Sequence, residues 1–305
     1  MKTIFMQIVW FVIYSLICII SLLPLPVLYG VSYLFAVLPM RWCGYRRTVI
    51  ITNLSRSFPD MTYEKIRRTT KDFYLYLGRV IAESVWLLTA SERSVFKRFA
   101  IENGQVLETL QKNNRSVIVI IPHLGNWEFL RACTYGQQER FCGYSMEQLH
   151  MVYQRMNSPL FDKLVYRMRN RHKTGWHILE SRQVARYMAR HKDTPGVYAM
   201  VADQCPGPAG KSVAVRFLEQ PTLMAGGPEY LARKFEFALV YGVVQEVGKG
   251  RYVLRFRLIT EDASEEKEGI ATAKFAQMLE EDIRQNVHLW LWSHKRWKRN
   301  KKIQP

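Results

Sequence analysis

A histidine and a glutamate five positions apart are the residues of this chain best suited to acid–base chemistry. His123 and Glu128 bound the segment His-Leu-Gly-Asn-Trp-Glu. A neutral imidazole can take the proton of an attacking hydroxyl, while a carboxylate orients the ring and stabilises the imidazolium. The pair therefore indicates transfer of an acyl group to an alcohol, with His123 as general base and Glu128 as its orienting partner.

The spacing of this pair requires a bend in the backbone. On one continuous helix, five residues turn through about 500°, which leaves the two side chains about 140° apart. Gly125 and Asn126 are residue types that tolerate a tight turn. They would let Glu128 enter the first turn of a helix that begins near Trp127. Spacing alone leaves an alternative open, a structural histidine beside a helix-capping glutamate.

The elements around the pair favour the catalytic interpretation. Ser116–Ile121 is a run of β-branched residues typical of a buried strand, and His123 lies just beyond its end. Ligands of α/β sheets gather where the carboxyl ends of the strands meet the following loops. Asp203 also follows an apolar strand, which places it at an expected edge of the site, although a loop-capping role fits it equally well.

Strand and helix patterns continue along the chain. Further strands are predicted at Met151–Tyr153, Trp176–Leu179, Val197–Ala202, Val213–Phe217, Phe237–Val247 and Arg251–Ile259. Helices are predicted from Asp60 or Thr62 to Leu88, from Ser158 toward His172, up to Arg190, and at Gly226–Arg233 and Glu268–Asn286. This interleaving predicts an α/β fold with a mixed, mainly parallel sheet flanked by helices.

The amino-terminal segment indicates a membrane anchor. Ile4–Leu23 contains twenty residues without a charge, enough for a helix to span a hydrocarbon core of about 30 Å. A secretory signal peptide is less favoured, because the run is long and no small-x-small cleavage site follows it. The next apolar stretch, Val27–Leu38, is too short to cross and is predicted to be an interfacial or core helix.

Basic residues set the expected orientation and the domain limits. Arg41, Arg46 and Arg47 follow the apolar run and only Lys2 precedes it, so the positive-inside rule leaves the body in the cytoplasm. The expected organisation is a single-pass anchor over residues 1–45 and a catalytic domain over 46–305. In a bacterium, the membrane would be the inner membrane.

Charge and cysteine usage limit the partners. The 44 Lys and Arg residues outnumber the 26 Asp and Glu residues, which gives a net charge of +18. Such a field favours nucleic acid, an anionic membrane, a phosphorylated lipid or an acidic carrier protein. The five cysteines form no C-x-x-C pair, so neither a zinc site nor a disulfide framework is expected, and a reducing compartment fits better. No metal or cofactor is expected.

Two further segments have sequence patterns that could bind phosphate or other anionic groups. Cys205–Ser212 is close to a P-loop, but it lacks the leading glycine and a strand follows it, so phosphate cradling there is not expected. Trp290–Lys302 interleaves tryptophan with Lys and Arg, which suits nucleic acid or a membrane surface equally. Because the same chain carries a spanning segment, anionic membrane lipids are the expected partner and nucleic acid is not.

The residues together resemble a known family, the late acyltransferases of lipid A biosynthesis, of the type that adds lauroyl or myristoyl chains to Kdo-lipid A. The resemblance is carried in order by Asn53-Leu54 with Phe58-Pro59, the segment from His123 to Glu128, Tyr153 to Phe161, Asp203-Gln204, and Trp292 to Lys298. It implies a fold like that of glycerolipid acyltransferases. It also implies transfer from acyl carrier protein to a hydroxyl of a lipid A precursor, without a metal.

The resemblance also implies a set of site residues. His123 and Glu128 would be catalytic, and substrate-binding residues are expected at Asn126, Arg155, Asp203, Gln204, His294, Arg296 and Lys298. The chain departs from the family where a Tyr-Arg-Pro-like stretch is replaced by Tyr153-Gln154-Arg155-Met156, which displaces the arginine expected to polarise the thioester. It departs again at Arg216–Glu219, where a Phe-Phe-Gly-like segment is usual.

Two alternatives remain open at this point. An enzyme with the same histidine and glutamate could acylate another lipid, such as a lysophospholipid or an aminolipid. A membrane-tethered basic binding protein without catalysis would explain the net charge and the carboxyl-terminal tract. The acyl chain length and the acceptor hydroxyl do not follow from the sequence.

Overall fold

The computed structural model describes residues 2–132, 140–156, 158–170 and 176–299. Its helices are α1 (Lys2–Ser21), α2 (Leu25–Ser32), α3 (Leu38–Trp42), α4 (Arg47–Ser57), α5 (Tyr63–Trp86), α6 (Glu92–Phe96), α7 (Gln105–Lys112), α8 (Pro159–Asn170), α9 (Val184–Arg190), α10 (Gly227–Phe235) and α11 (Ile270–Gln285). Its strands are β1 (Phe99–Glu102), β2 (Val117–Ile121), β3 (Arg140–Phe141), β4 (Tyr144–Ser145), β5 (Leu149–Tyr153), β6 (His177–Glu180), β7 (Val197–Val201), β8 (Ser212–Phe217), β9 (Gln220–Ala225), β10 (Ala238–Gly248) and β11 (Arg251–Thr260).

In the described part of the chain, the central sheet has the strand order β1-β11-β10-β2-β7-β5-β6. Strands β10, β2, β7, β5 and β6 run parallel, whereas β10 and β11 form an antiparallel hairpin. The predicted α/β fold with a mixed, mainly parallel sheet is therefore confirmed. Strands β8 and β9 form a separate hairpin.

Strand β2 lies at the centre of two packed layers. Ile118 and Ile120 face one buried cluster, and Val117, Val119 and Ile121 face the other. Because both faces of a parallel sheet are covered, such a strand is apolar at every position instead of alternating. This burial explains the continuous β-branched run and fixes the strand that ends beside His123.

The pairing of β2 with β7 positions the residues that follow each strand. Ile121 is opposite Val201 in this parallel register. Ala202 N–H then donates to the Ile121 carbonyl over 3.3 Å, so the two chains stay together past the last paired residues. His123 and Asp203, each two residues beyond that last pair, consequently emerge side by side at one edge of the sheet.

The amino-terminal helices differ from the prediction in length. Leu25–Trp42 is one continuous helical path of 18 residues, and by length and composition it is long and apolar enough to cross a membrane. The predicted segment Val27–Leu38 was too short at both ends, because the helical path begins at Leu25 and continues past Pro39 to Trp42. A π turn over Tyr33–Val37 lies just before Pro39, and Leu38 N–H donates to the Tyr33 carbonyl. The helix therefore continues through the proline.

This helical path packs against α5. A side chain at Gly78 of α5 would lie 2.3 Å from the Val37 side chain, so the two helices approach closely there. Ser32 Oγ also donates to the Gly78 carbonyl over 2.7 Å. Helix α1 instead exposes large apolar side chains, including Ile8, Phe11 and Ile19.

Other predicted elements agree in type and shift in extent. Helix α5 begins after Thr62, whose hydroxyl accepts a hydrogen bond from Lys65 N–H. The helix expected near Trp127 is a 3₁₀ turn over Trp127–Ala132. Helix α8 is described to Asn170, and His172, toward which it was predicted to run, lies outside the described residues. Strands β1, β3, β4 and β9 and helices α4, α6 and α7 were missed.

Replacing Gly125 by alanine tests the turn that follows β2. Gly125 has φ +62°, and a Cβ there would lie 1.7 Å from the Val244 carbonyl oxygen. Left-handed strain and steric overlap together should lower the free energy of unfolding by about 3 kcal/mol or more. Urea unfolding in detergent measures this loss.

Gly227→Ala is the matched control, because no atom lies within 4 Å of the added Cβ. Its free energy of unfolding should change by less than about 0.5 kcal/mol. Equal stability of the two variants would show that the Gly125 turn is not confined as described.

Candidate active site

The imidazole of His123 is held by a buried carboxylate from the neighbouring strand. Nδ1 of His123 lies 2.6 Å from Asp203 Oδ1, and the His123 backbone N–H donates to Asp203 Oδ2 over 2.9 Å. The Asp203 side chain is only 2% exposed, whereas that of His123 is 17% exposed. The Nδ1 edge of the imidazole therefore faces the buried carboxylate, while the rest of the ring is partly exposed to solvent.

A third donor completes the setting of Asp203. Trp290 Nε1 donates to Asp203 Oδ2 over 2.8 Å. Burial alone would raise the pKa of Asp203, but the charge and hydrogen bonds of His123 and the indole N–H outweigh it, so the pKa lies below its ordinary value. Asp203 is consequently an ionised carboxylate that can only accept hydrogen bonds.

This arrangement selects one tautomer of the neutral ring. Because Asp203 only accepts, Nδ1 of His123 must carry the proton, and Nε2 keeps its lone pair. Gln204 Nε2 lies 3.3 Å from His123 Nε2 and donates to it in this tautomer. The lone pair of Nε2 thus already accepts a hydrogen bond from an N–H group, and it can accept one from a substrate hydroxyl instead.

Glu128 makes a different contact from the one expected. Its carboxylate forms a bidentate ion pair with Arg169 of α8, at 2.6 Å from Nη2 and 3.3 Å from Nε. The carboxylate at Nδ1 of His123 is that of Asp203 rather than that of Glu128. The bend at Gly125-Asn126 exists as predicted, and Glu128 lies in the first turn of the helix that follows.

The bend itself is fixed from the inside. Asn126 is fully buried; its Oδ1 accepts from Glu128 N–H over 3.1 Å, and its Nδ2 donates to Glu83 over 2.6 Å. Tyr76 donates its hydroxyl to the Gly125 carbonyl over 2.5 Å. Asn126 was expected to bind substrate, but this burial gives it a positioning role.

Glu83 is a residue that sequence reasoning missed. This buried carboxylate of α5 accepts from Tyr29 of α2, from Tyr252 of β11 and from Asn126 over 2.6 to 2.7 Å. Burial raises the pKa of Glu83, although the three donors oppose that shift. A signal existed, because Glu83 follows Tyr76 and Val80 on the inward face of α5, where the helical period predicts an apolar residue.

The carboxyl-terminal segment braces the other side of the site. Leu124 and Trp290 form an isolated antiparallel bridge, and Gly125 N–H donates to the Leu289 carbonyl over 3.1 Å. The Phe217 ring packs edge-on against Trp290 at 5.8 Å, so the β8–β9 hairpin, which contains Arg216–Glu219, contacts this segment.

Three expected substrate-binding residues lie in this segment, and each has a different environment. Burial lowers the pKa of His294 to about 4, and its neutral Nε2 accepts from Cys205 N–H over 3.2 Å. Arg296 is 2% exposed and donates to the Leu223 carbonyl and to Met224 Sδ. It therefore connects the carboxyl-terminal segment to β9 and has a structural role. Lys298 is exposed.

Arg155 lies after β5 at the same edge of the sheet as His123. Its side chain is 72% exposed, and it pairs with Glu180 at 3.3 Å. This position keeps it available to a ligand without placing it in the Asp203–His123 hydrogen-bond network. In the described part of the chain, no group of three or more His, Cys, Asp or Glu side chains is arranged to hold a metal ion.

A comparison with known families matches nearly the whole chain. The family model described as bacterial lipid A biosynthesis acyltransferase covers residues 2–299, which include every residue of the site above. No curated protein matches the chain.

The lowered pKa of Asp203 predicts how its contribution to stability depends on pH. A carboxyl group with a lowered pKa in the folded state stabilises the protein above its unfolded pKa, near 4, and loses that effect as the pH falls through the folded pKa. The difference in free energy of unfolding between the wild type and Asp203→Asn should be full above about pH 5 and shrink below about pH 4. Urea unfolding across this range measures it.

Glu102→Gln is the control, because the half-exposed Glu102 carboxylate pairs with Arg255 at the surface. Its effect on the free energy of unfolding should be small at every pH. A difference for Asp203→Asn that grows toward low pH would have the opposite sign from the one expected and would contradict the assigned charge state.

Proposed function

This chain belongs to the bacterial lipid A biosynthesis acyltransferases, and we propose that it moves a fatty acyl chain from acyl carrier protein to a hydroxyl of a lipid A precursor with His123 as general base. The family implies the acyl transfer and the lipid A precursor. The observation that carries the mechanism is the buried carboxylate of Asp203 at Nδ1 of His123. Asp203 takes the orienting role first expected of Glu128.

The proton pathway follows from the tautomer. The acceptor hydroxyl displaces the Gln204 amide and donates to Nε2 of His123, which removes the proton as the oxygen attacks the thioester carbonyl. The imidazolium that forms is stabilised by Asp203, which already holds Nδ1–H and stays ionised. No proton passes to Asp203, since its low pKa opposes that transfer.

The bonds balance without a further reactant. A carbon–oxygen bond forms between the acyl carbon and the acceptor, and the carbon–sulfur bond to the donor breaks as the tetrahedral intermediate collapses. The proton held on Nε2 passes to the departing thiolate. His123 is then neutral again, with its proton on Nδ1.

In this proposal the guanidinium of Arg169, held by Glu128, donates to the oxyanion; the ion pair itself carries no net charge. Glu128 engages Nη2 and Nε of Arg169, and no hydrogen bond from its Nη1 to another described residue is present. Two carboxylate contacts fix the plane of the guanidinium, and a preorganised cation is suited to a developing oxyanion. Glu128 is thereby a positioning residue for Arg169, which takes the polarising role expected of Arg155.

The membrane attachment fits a lipid acceptor. The apolar surface of α1 supports a single span of the bacterial inner membrane, with the catalytic domain on the cytoplasmic side. Helix α8 contacts α1 half way along its length, where Lys163 lies 4.0 Å from the ring of Trp10. A spanning α1 has to leave this contact, because a cation at the centre of a bilayer is costly. Anionic lipids would contact the cations near the anchor.

Replacing the two carboxylates separately tests the mechanism. Asp203→Asn should lower kcat by about 10² or more, because asparagine can donate to Nδ1 and favours the wrong tautomer. His123→Ala should lose at least as much. The assay is acyl transfer by purified protein in detergent, with Glu102→Gln as control and circular dichroism to confirm folding.

Glu128→Gln and Arg169→Gln should each lower kcat, and the double variant should be no worse than either one, because they act as a unit. An active Asp203→Asn together with an inactive Glu128→Gln would reverse the proposed roles of the two carboxylates.

Lipid analysis of cells tests the substrate. Deletion of the gene should remove one secondary acyl chain from lipid A, as measured by mass spectrometry. Wild-type protein should restore that chain, and His123→Ala should not. Unchanged lipid A together with altered phospholipids would direct the enzyme to another acceptor.

A further inference from the structure

A second concave site lies at the end of the helical path Leu25–Trp42. The cavity has a volume of about 510 Å³ and is enclosed by α3, α4 and α5. Ile51 and Tyr74 contribute apolar surface to its wall. The cations that line it, called here the basic cavity, are Arg41, Arg47, Arg67, Arg68 and Lys71, with Glu64 as the single carboxylate.

The helical period brings these cations together. Glu64, Arg67, Arg68 and Lys71 are spaced three and four residues apart, so they share one face of α5. That face is turned to Arg47 of α4 and to Arg41 in the last turn of α3. Within the described chain, none of the five cations forms an ion pair within 4.0 Å, so their mutual repulsion is not offset by a protein carboxylate in contact.

We propose that the basic cavity binds the phosphate group of an anionic membrane lipid. The proposal rests on the membrane attachment proposed above. Arg41 is the second-to-last residue of a helical path that by length and composition could cross a bilayer, and the last residue, Trp42, is 94% exposed. A tryptophan beside arginines at such a helix end is the arrangement found at the level of lipid headgroups.

The cavity is distinct from the reaction centre. Helix α4 separates them: Arg47 and Ile51 line the cavity, while Asn53 turns inward and donates to the Trp292 and His294 carbonyls over 2.9 and 3.0 Å. On the cavity side, Tyr74 donates to the Tyr45 carbonyl over 2.7 Å and fixes the loop that precedes α4. A bound headgroup would therefore hold α4 and the catalytic brace without contacting His123.

The concave shape favours a headgroup over an acidic protein. A phosphate accepts hydrogen bonds from several guanidinium groups at once, which suits cations converging on one cavity. Exposed apolar side chains near the end of this helical path, among them Leu34 and Phe35, would contact the lipid at the membrane surface. An acidic protein such as the acyl donor remains the competing occupant that the experiment must separate.

The test measures lipid binding by the full chain. Wild-type protein in non-ionic detergent micelles is titrated with fluorescent phosphatidylglycerol and, separately, with fluorescent phosphatidylcholine. The triple variant Arg67→Gln, Arg68→Gln, Lys71→Gln should bind phosphatidylglycerol at least tenfold more weakly, since each cation near a headgroup contributes about a fivefold factor. Binding of phosphatidylcholine should not change.

The control triple variant is Lys112→Gln, Arg190→Gln, Lys192→Gln. These exposed cations precede β2 and β7, at the edge of the sheet opposite His123, and their loss changes the net charge equally. It should keep wild-type affinity for both lipids. Inorganic phosphate is added as a competitor. If displacement of phosphatidylglycerol requires a phosphate concentration far above the dissociation constant of phosphatidylglycerol, the site recognises the lipid and not free phosphate.

Several results would overturn the proposal. Equal weakening in both triple variants would indicate diffuse charge, and equal affinity of the wild type for the two lipids would rule out a site selective for anionic headgroups. A selective loss of binding to purified acyl carrier protein, or a raised KM for the acceptor with unchanged phosphatidylglycerol binding, would assign the cavity to a substrate instead. Acyl transfer by the variant Arg67→Gln, Arg68→Gln, Lys71→Gln is measured separately in detergent. Lipid binding and acyl transfer are thus tested independently, and failure of one proposal does not decide the other.

Discussion

The hydrogen bond between Asp203 and Nδ1 of His123 is the interaction on which the proposed chemistry of this protein depends. Two adjacent parallel strands deliver the two residues to one edge of the sheet, and their register leaves little choice of partner. The carboxylate is buried, so it stays in place only because His123 and Trp290 donate to it. Burial of a charge is costly unless it is paired, and here the pairing also defines which ring nitrogen is the base.

The same site is tied to the membrane-proximal part of the chain by buried polar contacts. Glu83 connects Tyr29 of α2 to Asn126 in the bend and to Tyr252 of the sheet. A buried network of this kind holds only when every member is satisfied, and loss of one partner leaves a buried oxygen without its hydrogen bond. The position of the apolar helical path and the shape of the catalytic bend are therefore coupled through one carboxylate.

Local sequence signals were sufficient for much of this architecture. The β-branched run before His123, the amphipathic period of α5 and the strand ahead of Asp203 each report a nearest-neighbour preference, and all three appear in the fold. The bend at Gly125-Asn126 was also predicted, but from the premise that His123 and Glu128 meet, which is wrong. The sound part of the argument was that Gly and Asn are residue types that tolerate a tight turn. Family resemblance then identified the reaction class that spacing alone left open.

What the sequence could not supply was long-range pairing. Asp203 meets His123 because β7 is the neighbour of β2, although about 80 residues separate them, and no periodicity encodes strand order. Glu128 pairs with Arg169 because α8 packs across the bend, which single-helix geometry does not predict. Arg296 was expected to bind substrate from its charge, but its burial depends on β9, a strand whose short alternating pattern was missed.

The tautomer of His123 tests this account most directly. Nitrogen-15 NMR of the full chain in detergent, with histidine labelled and His123→Ala used to assign the signal, distinguishes a protonated ring nitrogen from an unprotonated one by chemical shift. At a pH where the ring is neutral, the account predicts a proton on Nδ1 and a lone pair on Nε2, and a reversal of this preference in Asp203→Asn. A wild-type ring protonated on Nε2 would contradict it, because that nitrogen could not then act as the base.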